Sequence, residues 1–310
     1  MKKKEKIIIT GISGQDASYL IDELKSQYEI IGLSRIKKKK IIVRNTYKII
    51  HTDYSIIDLK KIIKKYKPIK IFNMAGQSNP SSSWILPSET IFSIVTITLN
   101  LLESIISINK KIKFFNCSTS EIFSKTKQKI SEKTKLEPEN PYACAKAFAH
   151  NLVQTYRKKY KIFAVNGILF NHESPRRNEK FLVKKLVMEG INVYKKKQKK
   201  IYLQSSFHIR DISHAKDIVK GIIKIMNSKF NEDFIIASGK SRSIKEISNI
   251  ICRTLNIKFN CVVFLDKKLK KMSYKIANTN KIKNKLNWKP EYSFQDLIDE
   301  MIVNENNESK

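Results

Sequence analysis

Near the N-terminus a short β-branched run, Ile7–Thr10, passes directly into Gly11-Ile12-Ser13-Gly14-Gln15-Asp16-Ala17 and then into a helical pattern with Tyr19, Leu20 and Leu24 on one face. A strand, a glycine turn and a helix in that order open a βαβ unit, which commits a chain to a parallel sheet covered by helices. Gly11 permits the tight turn. Gly14 lets backbone N–H groups approach an anion at the helix N-terminus, and small Ala17 lets helix and strand pack closely. Gly-x-x-Gly-x-x-Ala in this setting points to the pyrophosphate of a dinucleotide. The same residues also describe a plain turn ahead of an amphipathic helix.

The alternation continues. Glu29–Ser34 reads as a second strand ending at Arg35, Tyr47–His51 as a third with Asp53 just beyond it, and Leu59–Tyr66 as a helix stopped by Pro68. Ile69–Met74 is a fourth strand entering Ala75-Gly76-Gln77-Ser78, followed by a long helix from Ser88 to Asn109 and a buried strand at Ile112–Asn116. Lys125–Asn140 reads as loop, a helix begins at Pro141, and Phe163–Phe170 is a further strand. Beyond Asn178 the alternation weakens, with helical patterns at Phe181–Met188, Ala215–Met226, Ser243–Leu255, Asn278–Leu286 and Ser293–Val303 and short strands at Ile201–Leu203, Phe207–Ile209 and Phe234–Ala237. The expected fold is α/β: a doubly wound, Rossmann-type parallel sheet over residues 1–170 and a smaller C-terminal substrate domain over 171–310, from which a segment near 205–237 returns to the sheet. At 310 residues the core needs no covalent staples.

Lys+Arg of 61 against Asp+Glu of 28 gives a net charge of +33, which ordinarily suggests nucleic acid or an acidic membrane surface. The patterning argues against that: arginine occupies only eight positions, and lysines are spread through every expected element beside abundant Ile and Asn. A nucleic-acid module is set aside, while anionic substrates suit the charge. Cys117, Cys144, Cys252 and Cys261 form no Cys-x-x-Cys pair and have no His at zinc spacing, so no metal centre and a reduced, cytoplasmic setting are expected. Ile7-Ile8-Ile9 is too short for a signal peptide, and no uninterrupted apolar run reaches the roughly 20 residues of a membrane helix.

Four stretches carry chemistry. Pro141-Tyr142-Ala143-Cys144-Ala145-Lys146-Ala147 sets a phenol and an amine on one helix face; a nearby ammonium stabilises a phenolate, so the pair suits acid–base work. An ordinary helix with an exposed Tyr and a snorkelling Lys fits the same spacing. Cys117-Ser118-Thr119-Ser120-Glu121 lies at the carboxyl end of a strand, where ligands of doubly wound sheets sit, although Ser-Thr-Ser-Glu also reads as a helix cap. Asn171-His172-Glu173-Ser174-Pro175-Arg176-Arg177 follows another strand and reads as a ligand loop. Arg35, where Asp or Glu would meet a ribose 2′-hydroxyl, favours the 2′-phosphate of NADP.

Gly11-x-x-Gly14-x-x-Ala17, Ser118–Glu121 and Tyr142-x-x-x-Lys146 stand in the order and spacing of the extended short-chain dehydrogenase/reductases. More narrowly, Gly14-Gln15-Asp16, Ala75–Ser78, Ser118–Glu121, Gly167–Arg177, Arg210-Asp211, His214–Asp217 and Leu286–Pro290 resemble the GDP-mannose 4,6-dehydratase family, over about Lys6 to Met301. The resemblance implies an NADP-dependent hydro-lyase acting on a nucleotide sugar. Tyr142, assisted by Lys146, would take the proton from the sugar O4, Thr119 would hold O4, and Glu121 would remove the C5 proton and help water leave from C6. It further implies cofactor contacts from Gly11, Ile12, Ser13, Gly14, Gln15, Asp16, Arg35, Asp53, Tyr54, Ala75, Gly76, Gln77, Tyr142, Lys146, His172 and Arg177, and substrate contacts from Ser78, Asn171, Lys185 and Arg210.

The chain also departs from that pattern. Ala17, Ser124 and Ala143 replace glycines, and Asn79 replaces a His or apolar residue. Ile36 replaces a second arginine in a shortened loop that reaches the neighbouring subunit in homologous tetramers, so a homodimer is expected, with a homotetramer as the alternative. Lys268, Leu269 and Lys271 replace an arginine-containing stretch that grips the diphosphate, and lysine lacks the bidentate fork. Two other readings share parts of the pattern: a 4,6-dehydratase of another nucleotide sugar, and a reductase or epimerase of the same superfamily. The latter has no need of a base placed like Glu121.

Overall fold

Ile7, Ile8 and Ile9 are fully buried, as a central strand covered on both faces requires. They belong to β1 (Lys6–Thr10), which pairs in parallel with β2 (Glu29–Ser34) on one side and β5 (Lys70–Asn73) on the other. The computed structural model describes residues 4–35, 41–44, 47–124, 126–265 and 274–308. Ile36, the Lys37–Lys40 loop, Lys268, Leu269 and Lys271 lie outside them.

The first half runs β1, α1 (Gln15–Leu24), β2, β3 (Ile41–Arg44), β4 (Tyr47–His51), α2 (Ile56–Tyr66), β5, α3 (Ser82–Ile85), α4 (Pro87–Ile91), a π-helical turn Phe92–Thr96, α5 (Ile97–Ile108), β6 (Lys113–Thr119), α6 (Pro141–Tyr160) and β7 (Ala164–Leu169). The second runs β8 (Asn171–Glu173), α7 (Leu182–Tyr194), β9 (Ile201–Leu203), β10 (Ile209–His214), α8 (Ala215–Asn227), β11 (Phe234–Ile236), β12 (Ser241–Ser243), α9 (Ile244–Thr254), β13 (Val262–Phe264), β14 (Tyr274–Lys275), α10 (Asn280–Leu286) and α11 (Phe294–Glu308). The large sheet has the order β11-β7-β6-β5-β1-β2-β4-β3. From β7 to β4 every pairing is parallel; β3 adds an antiparallel edge that the sequence pattern did not announce. The strand order reverses about β1, so a crevice opens beyond the carboxyl ends of β1 and β5.

A polar ladder fixes the register of this sheet. Thr10 donates to Asn73 at 2.8 Å, Asn73 to Asn116 at 3.2 Å, and Asn116 to Asn166 at 2.8 Å. These four buried residues are successive cross-strand partners on β1, β5, β6 and β7. A slip of one residue in any strand would bury amides without partners.

Two compact units emerge: Met1–Ser124, Thr134–Leu169 and Val219–Phe234 in one, Lys125–Lys133, Phe170–Ile218 and Ile235–Lys310 in the other. The segment that joins the first unit from the C-terminal half is thus shorter than the 205–237 expected. The reason lies in β10, which pairs with β8, β12 and β14 in a small sheet of the second unit. Within the first unit the returning segment is held by Asn231, which accepts the Ala164 N–H at 3.0 Å, and by Asp233, which accepts the Asn166 N–H at 2.8 Å. The second unit packs α7, α9 and α11 around Leu186, Ile191, Ile247, Ile298 and Met301.

One expectation about a site segment needs correction: Asn171–Glu173, read as the start of a ligand loop, is a strand in register with Ile212–His214. The helical stretch Pro87–Ile108 is long and apolar enough to span a bilayer by length and composition, but polar residues interrupt it, as the sequence reading has it, and Ile94, Ile97, Leu101, Leu102 and Ile105 on it are buried inside the protein.

Candidate active site

The crevice beyond β1 is built on backbone. Gly11 has φ +62°, and a Cβ there would stand 2.8 Å from the Met74 carbonyl oxygen and 2.9 Å from Ala75 backbone atoms, so only glycine lets the two loops touch. The Gly14 N–H closes the turn on the Gly11 carbonyl at 2.9 Å. Gly14 is the N-cap of α1 and no side chain among the described residues caps that helix, which leaves its first N–H groups for a phosphate. Ile12 points away, packed so closely on β2 that a Cβ on Gly32 would lie 2.5 Å from its Cγ1; only its backbone faces the loop.

A cavity of about 320 Å³ opens here, lined by Gly11, Ser13, Ser34, Arg35, Tyr54, Ala75, Gly76 and Gln77 together with Glu89, Ser93 and Ile97. It brings together seven of the residues read from the sequence as cofactor contacts. Tyr54 is 2% exposed with φ +59°; burial pushes its phenol up, and a hydrogen bond with the Gly11 backbone pulls the other way. The Gln77 N–H donates to Ser93 at 3.2 Å and its Nε2 to the Asn79 carbonyl at 2.6 Å, while its buried Oε1 has no partner among the described residues. Asp53 is exposed and accepts the Ser55 N–H at 2.8 Å, a turn that leads into α2. Arg35 grips Glu89 with both terminal guanidinium nitrogens, Nη1 and Nη2. A glycine cradle, a helix N-terminus and an unsatisfied buried amide oxygen fit a dinucleotide.

The residues read from the sequence as acid–base groups stand at the end of β6 and the start of α6. Thr119 Oγ1 accepts the Glu121 N–H at 3.2 Å, turning the chain into the 3₁₀ turn Ser120–Ile122 and leaving Glu121 half-buried. Asn140 caps α6 by accepting the Ala143 N–H at 2.9 Å, with Pro141 in the first turn. Both Tyr142 and Lys146 are buried, at 8% and 6% exposure, so the snorkelling-lysine reading fails. The Lys146 ammonium donates to the Cys117 carbonyl at 2.7 Å and lies 6.0 Å from the Tyr142 ring centroid. A Cβ on Gly76 would be 3.7 Å from it, which ties the amine to the cofactor crevice. Burial lowers the Lys146 pKa, opposed by the Cys117 thiol and the Asp16 carboxylate. The Asp16 carboxylate thus bears on the charge of Lys146, beyond the contact role read for it.

Sequence reasoning passed over His150. Its Nδ1 meets Ser118 Oγ at 3.1 Å and its Nε2 meets the Gln154 amide at 3.0 Å; Asp233, held by Arg157 at 2.7 Å, lies 3.6 Å away. Burial lowers the His150 pKa, opposed by the Asp233 carboxylate, and the ring braces Ser118 next to Thr119. The available signal was spacing, since His150 follows Lys146 by one helical turn. Ser78 is exposed in the loop after β5, and Gln15 is half-buried at the start of α1.

The second unit holds the remaining candidates. The His172 Nδ1–H donates to the Phe170 carbonyl at 2.7 Å. Arg177 stacks 3.5 Å over Phe181 and stands 3.5 Å from Glu173. Asn171 pairs with Ile212, Lys185 is exposed with Glu189 at 3.5 Å, and Arg210 donates to the Ile209 carbonyl at 2.9 Å.

The family model described as GDP-mannose 4,6 dehydratase matches residues 8–301. Among curated proteins the chain is 31% identical to GDP-mannose 4,6 dehydratase 2 of Caenorhabditis elegans, over 98% of this chain and 90% of that one. It is 32% identical to the Homo sapiens GDP-mannose 4,6 dehydratase, over 97% and 91%. Among solved structures it resembles a UDP-glucose 4-epimerase of Thermotoga maritima with a TM-score of 0.88 at 18% identity, covering 98% of this chain and 100% of that one. A dTDP-glucose 4,6-dehydratase of Bacillus anthracis follows at 0.85 and 22%, covering 98% of each.

Proposed function

Because the chain belongs to the GDP-mannose 4,6-dehydratase family, we propose that it converts GDP-mannose to GDP-4-keto-6-deoxymannose, with NADP as cofactor. The observation that carries the reading is the buried Tyr142–Lys146 pair beside the Thr119–Glu121 turn. Tyr142 takes the O4 proton, and the Lys146 ammonium stabilises the phenolate that forms. Thr119 holds O4. Glu121 removes the C5 proton, acidified by the C4 ketone, and assists departure of the C6 hydroxyl as water. When bound, the nicotinamide supplies reversible hydride transfer, first at C4 and then at C6. Arg35, on the wall of the crevice, is assigned to the cofactor 2′-phosphate. His172 and Arg177 keep the cofactor roles implied by the family resemblance, and Ser78, Asn171, Lys185 and Arg210 the substrate roles.

The working form is a homodimer in the cytoplasm. Supporting the dimer, Trp84, Ile85, Leu86, Ile91 and Phe148 are large, apolar and more than half exposed on α3, α4, the residue that joins them, and α6, an apolar face suited to a second copy. Light scattering at working concentration would return twice the chain mass; a monomer, or the tetramer of some relatives, would refute it.

The deciding experiment for the activity is incubation of the purified protein with NADP and a panel of GDP- and UDP-sugars. A product lighter by one water from GDP-mannose alone is the expected result. Epimerised or reduced product without loss of water would move the chain to another chemistry of the same fold.

A further inference from the structure

At the rim of the crevice Arg35 does not stand alone. Its Nη1 donates to Glu89 Oε2 at 3.1 Å and its Nη2 to Glu89 Oε1, a bidentate pair, and its guanidinium lies 5.3 Å from the Phe92 ring centroid. Both side chains are about two-fifths exposed, at 41% and 39%, and both line the cavity with Gly11, Ser34 and Tyr54. An ion pair this exposed contributes little to folding, so stability is a weak explanation for it. Its position is more telling. The planar fork that recognises a phosphate monoester is the same fork a carboxylate occupies, and here a carboxylate from the chain already fills it.

We propose that Glu89 is a specificity-determining residue: its carboxylate is the resident counter-ion of Arg35, which a cofactor 2′-phosphate has to displace and a 2′-hydroxyl does not. The inference rests on the assignment of Arg35 to the 2′-phosphate. Glu89 has two effects on a 2′-phosphorylated cofactor. It competes for the guanidinium donors, and after displacement its negative charge stays in the same cavity as the phosphate, where like charges repel. The chain therefore binds NADP with less advantage over NAD than an uncommitted arginine would confer.

The nucleotide halves of the two cofactors test this without turnover. Calorimetric titration of the whole protein with 2′,5′-ADP and with 5′-AMP, which differ only in the 2′-phosphate, is carried out on wild type, Glu89→Gln, Arg35→Gln and the double variant. Glu89→Gln should tighten 2′,5′-ADP on the order of tenfold, the scale of one charge-assisted hydrogen bond, and change 5′-AMP less than about twofold. In the double variant that gain should vanish, because no fork remains to be freed. If Glu89→Gln leaves 2′,5′-ADP unchanged, or shifts both probes equally, the inference is overturned; weaker 5′-AMP binding also overturns it, by making Glu89 a ribose ligand. The comparison of Glu89→Gln with the double variant separates the two levels of the argument. Loss of 2′,5′-ADP affinity on removing Arg35 there upholds the cofactor assignment even if Glu89 proves silent, whereas no loss refutes both.

Discussion

The Lys146 ammonium stands 6.0 Å from the centroid of the Tyr142 ring while donating to the Cys117 carbonyl at 2.7 Å. The carbonyl fixes the amine, so the charge is presented to the phenol from a constant position, and the Asn140 cap fixes where the phenol enters the site.

Tyr142→Phe deletes the acid–base oxygen and almost no volume. Turnover should fall by about 10²–10⁴-fold with the cofactor dissociation constant little changed, as read by steady-state kinetics and fluorescence titration. Activity like that of wild type would take the phenol out of the mechanism.

Glu121→Gln separates elimination from oxidation. Product formation should slow by about 10²–10⁴-fold, and exchange of solvent deuterium into C5 should be lost, because the amide keeps the shape but cannot take the proton. If C5 still exchanges at the original rate, Glu121 only caps the turn after Thr119.

Burial lowers the Lys146 pKa, so its active, charged form is present at low pH and is lost as pH rises through a value below that of an exposed lysine. The alkaline limb of kcat/KM should accordingly fall earlier than ordinary lysine titration, and Lys146→Arg, which keeps its proton, should move that limb upward. For stability the sign is opposite: the buried ammonium costs stability near neutrality, and the cost is relieved between the lowered folded pKa and the ordinary value of 10.5. A limb that does not move in Lys146→Arg assigns the titration to another group.

Asn116→Ala removes the middle of the polar ladder, leaving Asn73 short of an acceptor and Asn166 short of a donor. Each buried group left unsatisfied costs about 1–3 kcal/mol, so urea unfolding should register a loss of about 2–6 kcal/mol. A loss below about 0.5 kcal/mol would show that water or a rearranged amide replaces the ladder.

Wherever one local segment carries both the groups and their spacing, the sequence was enough to read. The strand–glycine–helix opening, the phenol and amine on one face of α6, and the hydroxyl and carboxylate after β6 all depend on contacts within one or two turns of chain, which the helical and extended repeats set by themselves. Asn171–Glu173 misled because polarity alone does not separate a loop from a short strand whose partner lies about forty residues away.

What tertiary structure alone decided are the partners brought from a distance. Composition carries no sign that Glu89 meets Arg35 across 54 residues, that the Asp16 carboxylate influences Lys146, or that Thr10, Asn73, Asn116 and Asn166 fall side by side. Each depends on sheet register and on which helix packs over which strand. Those are settled by burial of the whole apolar core, so residues far apart in the chain meet only in the folded sheet and its covering helices.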